Sequence, residues 1–161
     1  KYLLGEHFGV DSRNVHAYIL GEHGDTELAA WSAATVAGMP VEAYCRRCGK
    51  CRDRRCLNAI FEDVRSSAYR IIEGKGATYY AVAMAVARIA EAIVRDEHSV
   101  LTVSSHISGQ YGLDDVCIGL PSVVSRGGVS RVLEMELSGE ELRLLHASAT
   151  TLKNALSQLQ I

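Results

Sequence analysis

Residues 116–124 and 127–136 read as two extended runs joined across Ser125-Arg126-Gly127-Gly128. So short a connection turns the chain back alongside itself, so the two runs pair as antiparallel strands. Residues 99–107 alternate as a further strand, and Ser108-Gly109-Gln110-Tyr111-Gly112 turns the chain after it. Ahead of these strands stand two helical patterns. Residues 57–73 carry Ile60, Val64, Ala68, Ile71 and Ile72 at helical spacing and stop at Gly74-Lys75-Gly76. Residues 78–96 carry Val82, Ala85, Val86, Ile89 and Ile93, with many alanines alongside. After the strands, Ser138 with Glu141 three residues on forms a capping-box pattern. It opens a closing helix over 139–159 that directs Leu142, Leu145, Ala149, Leu152 and Leu156 inward.

The beginning of the chain is less regular. Residues 2–8 form a helix end stopped by Gly9, and Asp11-Ser12 turns the chain. Residues 14–20 read as one strand, with Val15, Ala17 and Ile19 on one face and His16, Tyr18 and Leu20 on the other. Residues 27–36 are weakly extended until Gly38-Met39-Pro40 breaks them. The order strand, helix, helix, three strands, helix predicts an α+β fold, with antiparallel strands packed against long helices, rather than a doubly wound sheet.

The 161 residues suffice for a single domain, 1–161, with a substantial core. An apolar share of 48% with 22% charged residues argues against both disorder and a coiled coil. The formal net charge of -2 gives no reason to expect a nucleic-acid partner. No apolar run is long enough to span a membrane, since residues 77–94 are interrupted by Arg88 and Glu91. Lys1-Tyr2-Leu3-Leu4-Gly5-Glu6 is neither a signal peptide nor an initiating methionine, and reads as the last turns of a helix that began earlier. A piece of a longer chain is therefore expected. No G-x-G-x-x-G follows a strand, so this chain has no dinucleotide fingerprint of its own.

Chemistry concentrates at Gly21-Glu22-His23-Gly24-Asp25, at the end of an apolar run. The glycines let a backbone or a small ligand approach the imidazole, and histidine is the side chain best suited to exchanging a proton near neutral pH. On its own the motif fits a hydrogen-bonded structural histidine better than a catalytic one.

Four of the five cysteines form Cys45-x2-Cys48-x2-Cys51-x4-Cys56, interleaved with Arg46, Arg47, Lys50, Arg52, Arg54 and Arg55. Four thiolates make a tetrahedral zinc site, and basic neighbours lower thiol pKa values; redox pairing and inert thiols are the other readings. The ferredoxin run differs in its last gap and in its following proline. An odd cysteine count in a chain of this length points to a reducing cytoplasm rather than a secreted disulfide scaffold.

Residues 14–27, from Asn14 through the histidine motif to Glu27, closely resemble the active-site segment of bacterial L-lactate dehydrogenases, in the lactate/malate dehydrogenase family. So do Trp31-Ser32, Gly74-Lys75-Gly76-Ala77-Thr78-Tyr79-Tyr80 and Val116-Cys117-Ile118-Gly119-Leu120-Pro121. The likeness covers essentially the whole chain as the family's C-terminal, substrate-binding domain. It implies NAD-dependent interconversion of pyruvate and L-lactate in glycolysis and fermentation, in a cytoplasmic homotetramer. His23 would be the acid/base, Thr78 would lie beside the substrate methyl group and Val82 near the nicotinamide. Thr78 fits a helix N-cap equally well, and Val82 ordinary helix core.

Glu22, Trp31 and Thr78 look more like the lactate enzymes than their malate relatives, which tend to carry a second glycine before the histidine. His16 resembles the histidine that binds fructose 1,6-bisphosphate at a subunit interface. The partner arginine of that allosteric site falls at Lys1, which keeps the charge without the two-pronged fork. By the same pattern the arginine that clamps the substrate carboxylate, the aspartate that orients His23 and the NAD-binding fold all lie upstream of Lys1. A rival of another class is a catalytically dead oligomerisation or interaction domain, in which His23 would be vestigial.

Overall fold

The computed structural model describes residues 1–50 and 55–159. Helix α1 (Tyr2–Phe8) ends at Gly9, whose left-handed φ of 69° lets its N–H reach back to the last turn. Strands β1 (Val15–His16), β2 (Ile19–Leu20), β3 (Leu28–Ala29), β4 (Thr35–Val36) and β5 (Met39–Pro40) follow, each two residues long. Helices α2 (Val41–Cys48), α3 (Arg55–Lys75) and α4 (Tyr80–Val94) lead into β6 (Ser99–Ser108), β7 (Asp114–Ser125) and β8 (Gly128–Val132). Helix α5 (Gly139–Ser157) closes the chain.

Among the described residues every strand pairing is antiparallel, in sheets ordered β1-β4-β5, β2-β3 and β6-β7-β8. The expected α+β architecture is the one observed. β7 is the middle strand of the largest sheet, and from Leu120 to Ser125 it is buried without interruption, so both of its faces are covered. Two apolar clusters form the core. One joins Leu20, Leu28, Ile107, Ile118, Leu120, Leu145 and Ala149, which binds β2, β3, β6, β7 and α5 together. The other gathers Leu4, Phe8, Val15, Val36, Val41 and Leu57 under α1, α2 and the start of α3.

Several expectations need correction. The strand over 14–20 is two strands: Val15–His16 pairs with Thr35–Val36, whereas Ile19–Leu20 pairs with Leu28–Ala29. Between them Tyr18 leaves the ladder, and its carbonyl accepts the Ala30 N–H. Gly38-Met39-Pro40 does not end extended structure. Ala37 and Gly38 (φ 50° and 79°) make a tight turn that sends Met39–Pro40 back along Thr35–Val36. α4 begins at Tyr80 rather than at Thr78, and Tyr79, not Thr78, stands at its cap with no side-chain bond. Gly76 takes a left-handed φ of 80°, and the Lys75 ammonium lies 4.8 Å from the centres of both the Tyr79 and Tyr80 rings. β8 stops at Val132 instead of 136.

The apolar stripes of α3 and α4 are real, but only their ends are covered. Leu57 and Ala92 are buried, while Ile71, Ile72, Val82 and Val86 are exposed, as are Leu142 and Leu156 on α5. No helix among the described residues is long and apolar enough to cross a membrane.

The predicted capping box is present. Ser138 Oγ accepts from the Glu141 N–H, and Glu141 Oε2 accepts from the Ser138 N–H at 2.8 Å. Glu141 Oε1 also accepts from the Ser32 N–H at 3.0 Å, which ties α5 to the segment after β3. Burial pushes this carboxyl's pKa up, but the hydrogen bonds from Ser32 and Ser138 outweigh it and hold the value below the ordinary one. A depressed folded-state pKa stabilises the fold above the unfolded carboxylate value, and that stabilisation is lost as the pH falls through the lowered value. Glu141→Gln is therefore expected to cost stability at neutral pH and progressively less on acidification. Urea midpoints measured across the acid range check this; a pH-independent difference would contradict it.

Candidate active site

β2 delivers the histidine segment to the middle of the large sheet. Gly21 N–H donates to the Gly119 carbonyl and Gly119 N–H to the Gly21 carbonyl, both at 3.0 Å. Only glycines fit here. A Cβ on Gly119 would lie 2.8 Å from the Gly21 carbonyl oxygen, and one on Gly21 would lie 2.7 Å from Ser148 Oγ. Gly21 also has a φ of 96°, which L side chains rarely adopt.

Beyond Gly21 the chain forms a loop that α5 holds from beneath. The Glu22 N–H donates to Ser148 Oγ at 2.7 Å, and Ser148 is completely buried. Thr26 Oγ1 lies 3.1 Å from Ser148 Oγ and also donates to the Glu22 carboxylate. From the outer side, Tyr69 on α3 donates its hydroxyl to Asp25 Oδ1 at 2.9 Å. That bond, with the negative charge of Asp25, pushes the Tyr69 phenol up. Glu27 is half-buried at the loop's end. Burial raises its pKa against the pull of His23 and Arg65.

His23 is exposed at the loop's crest, and no hydrogen bond to a described residue fixes its imidazole. It borders a cleft of about 990 Å³, walled by Val64 of α3, Ile89 and Ile93 of α4, and residues of β6 and β7 around Ile118 and Gly119. An imidazole at the mouth of an apolar cleft, on a loop tied to the core, is suited to passing a proton to a small polar substrate.

The other residues singled out in the sequence are not gathered around that cleft. Thr78 is half-buried in the α3–α4 turn and Val82 is exposed on α4; neither lines the cleft. His16 is exposed on β1. Lys1 is exposed at the head of α1, beside a small cavity that it shares with Tyr18 and Trp31 but not with His16.

The described residues do not assemble the four-cysteine site. Cys51 lies outside the described residues, Cys45 and Cys48 are free thiols, and Cys56 is disulfide-bonded. Among the described residues no group of three or more potential ligands surrounds a metal position. Nor do the basic residues lower the Cys45 thiol as expected. Burial raises its pKa, with Cys48 and Glu42 adding to the effect, so Arg46 is outweighed and the protonated thiol is favoured. Ser148 escaped the sequence reading, although it is the one hydroxyl at helical spacing among the inward residues Leu145, Ala149 and Leu152. Tyr69 and Glu27 left no comparable signal.

Comparison with known proteins is consistent along the whole chain. Residues 1–160 match the sequence family described as lactate/malate dehydrogenase, alpha/beta C-terminal domain. All 161 residues align at 55% identity with 51% of the L-lactate dehydrogenase of Acetivibrio thermocellus. They align at 53% identity with 52% of the L-lactate dehydrogenase of Thermoanaerobacter pseudethanolicus. Among solved structures, a lactate dehydrogenase from a Medee basin deep-sea metagenome library superposes with a TM-score of 0.93 at 39% identity, over 97% of this chain and 50% of that one. The ligands-bound minor L-lactate dehydrogenase of Enterococcus mundtii gives 0.93 at 38% identity, over 98% of this chain and 50% of that one. The chain thus spans about half the length of the relatives it matches.

Proposed function

The chain belongs to the lactate/malate dehydrogenase family as its C-terminal α/β domain, and from that premise we propose that it forms the substrate half of an NAD-dependent L-lactate dehydrogenase. The cofactor-binding half is a separate part of the full-length enzyme, and NADH bound there supplies the hydride that reduces the carbonyl carbon of pyruvate. His23 as imidazolium gives its proton to the carbonyl oxygen in the same step, and neutral His23 takes a proton from the hydroxyl of L-lactate in reverse. The proton count closes: one hydride and one proton convert the ketone to the alcohol. The single observation that carries the reading is His23 itself, raised on a loop anchored to β7 and open to the cleft, in a chain more than half identical to an L-lactate dehydrogenase.

The remaining residues take supporting places. Thr78, half-buried in the α3–α4 turn, suits a contact with the small methyl end of the substrate. Val82 is 54% exposed on α4, and its apolar face fits the flat ring of a nicotinamide. Exposed Lys1 offers positive charge, and exposed His16 a ring nitrogen, to a sugar bisphosphate such as fructose 1,6-bisphosphate at a tetramer interface. The cysteine segment carries no step of this mechanism. A reducing cytoplasm is the compartment this metabolic role implies. Glu22, directly before the histidine, favours lactate over malate chemistry.

Steady-state NADH oxidation with pyruvate and with oxaloacetate tests the proposal. The full-length enzyme is expected to prefer pyruvate, and the 161-residue chain alone to turn over neither, because it lacks the hydride donor's site. Faster turnover of oxaloacetate would assign the malate branch. NADH oxidation by the chain alone, abolished by His23→Ala, would overturn the division of labour.

A further inference from the structure

We infer that Ser148 and Thr26 are positioning residues for His23, acting through a closed ring of hydrogen bonds that begins and ends on Glu22. The inference rests on the proposed role of His23 as the proton carrier.

The ring's protons can be assigned without ambiguity. A carboxylate only accepts, so the Thr26 hydroxyl must spend its one proton on Glu22. Ser148 is then the donor in its 3.1 Å contact with Thr26 Oγ1, and its own oxygen accepts the Glu22 N–H at 2.7 Å. Each hydroxyl donates once and accepts once, and each bond polarises the next. Ser148 is completely buried between Leu145 and Ala149, the parts of α5 embedded in the main core. Its oxygen is therefore a fixed point.

The ring clamps Glu22 and Thr26, the two ends of the turn, and leaves His23, Gly24 and Asp25 between them. No hydrogen bond to a described residue aims the imidazole, so within this chain the backbone sets where it points. The space is closed as well as bonded. A Cβ on Gly24 would lie 2.9 Å from Glu22 Oε1, so the carboxylate held by Thr26 occupies the inside of the turn. Opening any link frees Glu22 and lets the turn relax. Displacement of a proton donor by about 1 Å costs up to about 10²-fold in rate.

Thr26→Val, Thr26→Ser and Ser148→Ala in the full-length enzyme test this, with His23→Ala alongside. Thr26→Val and Ser148→Ala are expected to lower kcat for pyruvate reduction by about 10- to 100-fold while the KM for NADH stays within about twofold. Thr26→Ser keeps the hydroxyl and is expected to restore most of the rate. The double variant Thr26→Val with Ser148→Ala should be no slower than the worse single one, because one broken link already opens the ring. Should Ser148→Ala fail to fold, the Thr26 pair decides alone. Equal kcat for Thr26→Val and Thr26→Ser, or a fall in thermal midpoint with kcat unchanged, would overturn the positioning role. If His23→Ala itself leaves kcat intact, it is the proton-carrier reading that fails, whatever the ring variants do.

Discussion

His23→Ala in the full-length enzyme is expected to lower kcat for pyruvate reduction by about 10²–10⁴-fold, the usual contribution of a positioned general acid. The loss should fall on the chemical step alone. The imidazole is exposed and bonded to no described residue, so its removal leaves the hydrogen bonds among the described residues intact. The Gly21–Gly119 pairing and the Ser148 anchor are made by other atoms. Thermal midpoint and NADH affinity are accordingly expected to match the parent. Single-turnover reduction measured with saturating NADH separates the two possibilities. A parent-like rate would mean that another group, or water, donates the proton, and Glu27, which His23 attracts electrostatically, would be the first place to look.

The largest effect on stability is expected at Gly119. Its alanine Cβ would meet a backbone oxygen, the Gly21 carbonyl, at 2.8 Å, and no rotamer change can move that atom aside. The two strands would have to part, and the pair of 3.0 Å bonds between Gly21 and Gly119 would go with them. Overpacking together with two lost hydrogen bonds amounts to about 2–6 kcal/mol. Gly119→Ala should therefore unfold at a clearly lower urea concentration, and what remains folded should turn over slowly because the histidine loop has moved. Gly139→Ala is the control. Nothing lies within 4 Å of the Cβ it adds, so its midpoint is expected to stay near the parent's. Equal midpoints for the two variants would remove the close approach as a constraint.

What could be read from the chain alone follows the range of the interactions concerned. The Ser138–Glu141 cap spans three residues, and the Ser125–Gly128 hairpin fixes its own pairing, so both were legible. Residues 14–20 were not, because two different partners, Leu28–Ala29 and Thr35–Val36, divide them and alternation says nothing about partners. Ser148 meets Glu22 across 126 residues of sequence, and a hydroxyl in an apolar stripe does not say what it binds. The cap that Thr78 fits by sequence is not made, because the helix start is set two residues later, beyond the left-handed Gly76 and with Lys75 against two tyrosines. The periodicity of α3 and α4 correctly marked an apolar face. It carried no information on whether that face is covered within this chain.

The bare face has a bearing on how this chain behaves as a colloid. Ile71, Ile72, Val82, Met84 and Val86 stand open to water along α3 and α4, and a formal charge of -2 spread over 161 residues provides little repulsion between copies. Van der Waals and hydrophobic attraction then dominate whenever two molecules meet. A preparation of the chain alone is limited by the concentration at which these faces find each other, well before the strength of its folded core becomes the limit.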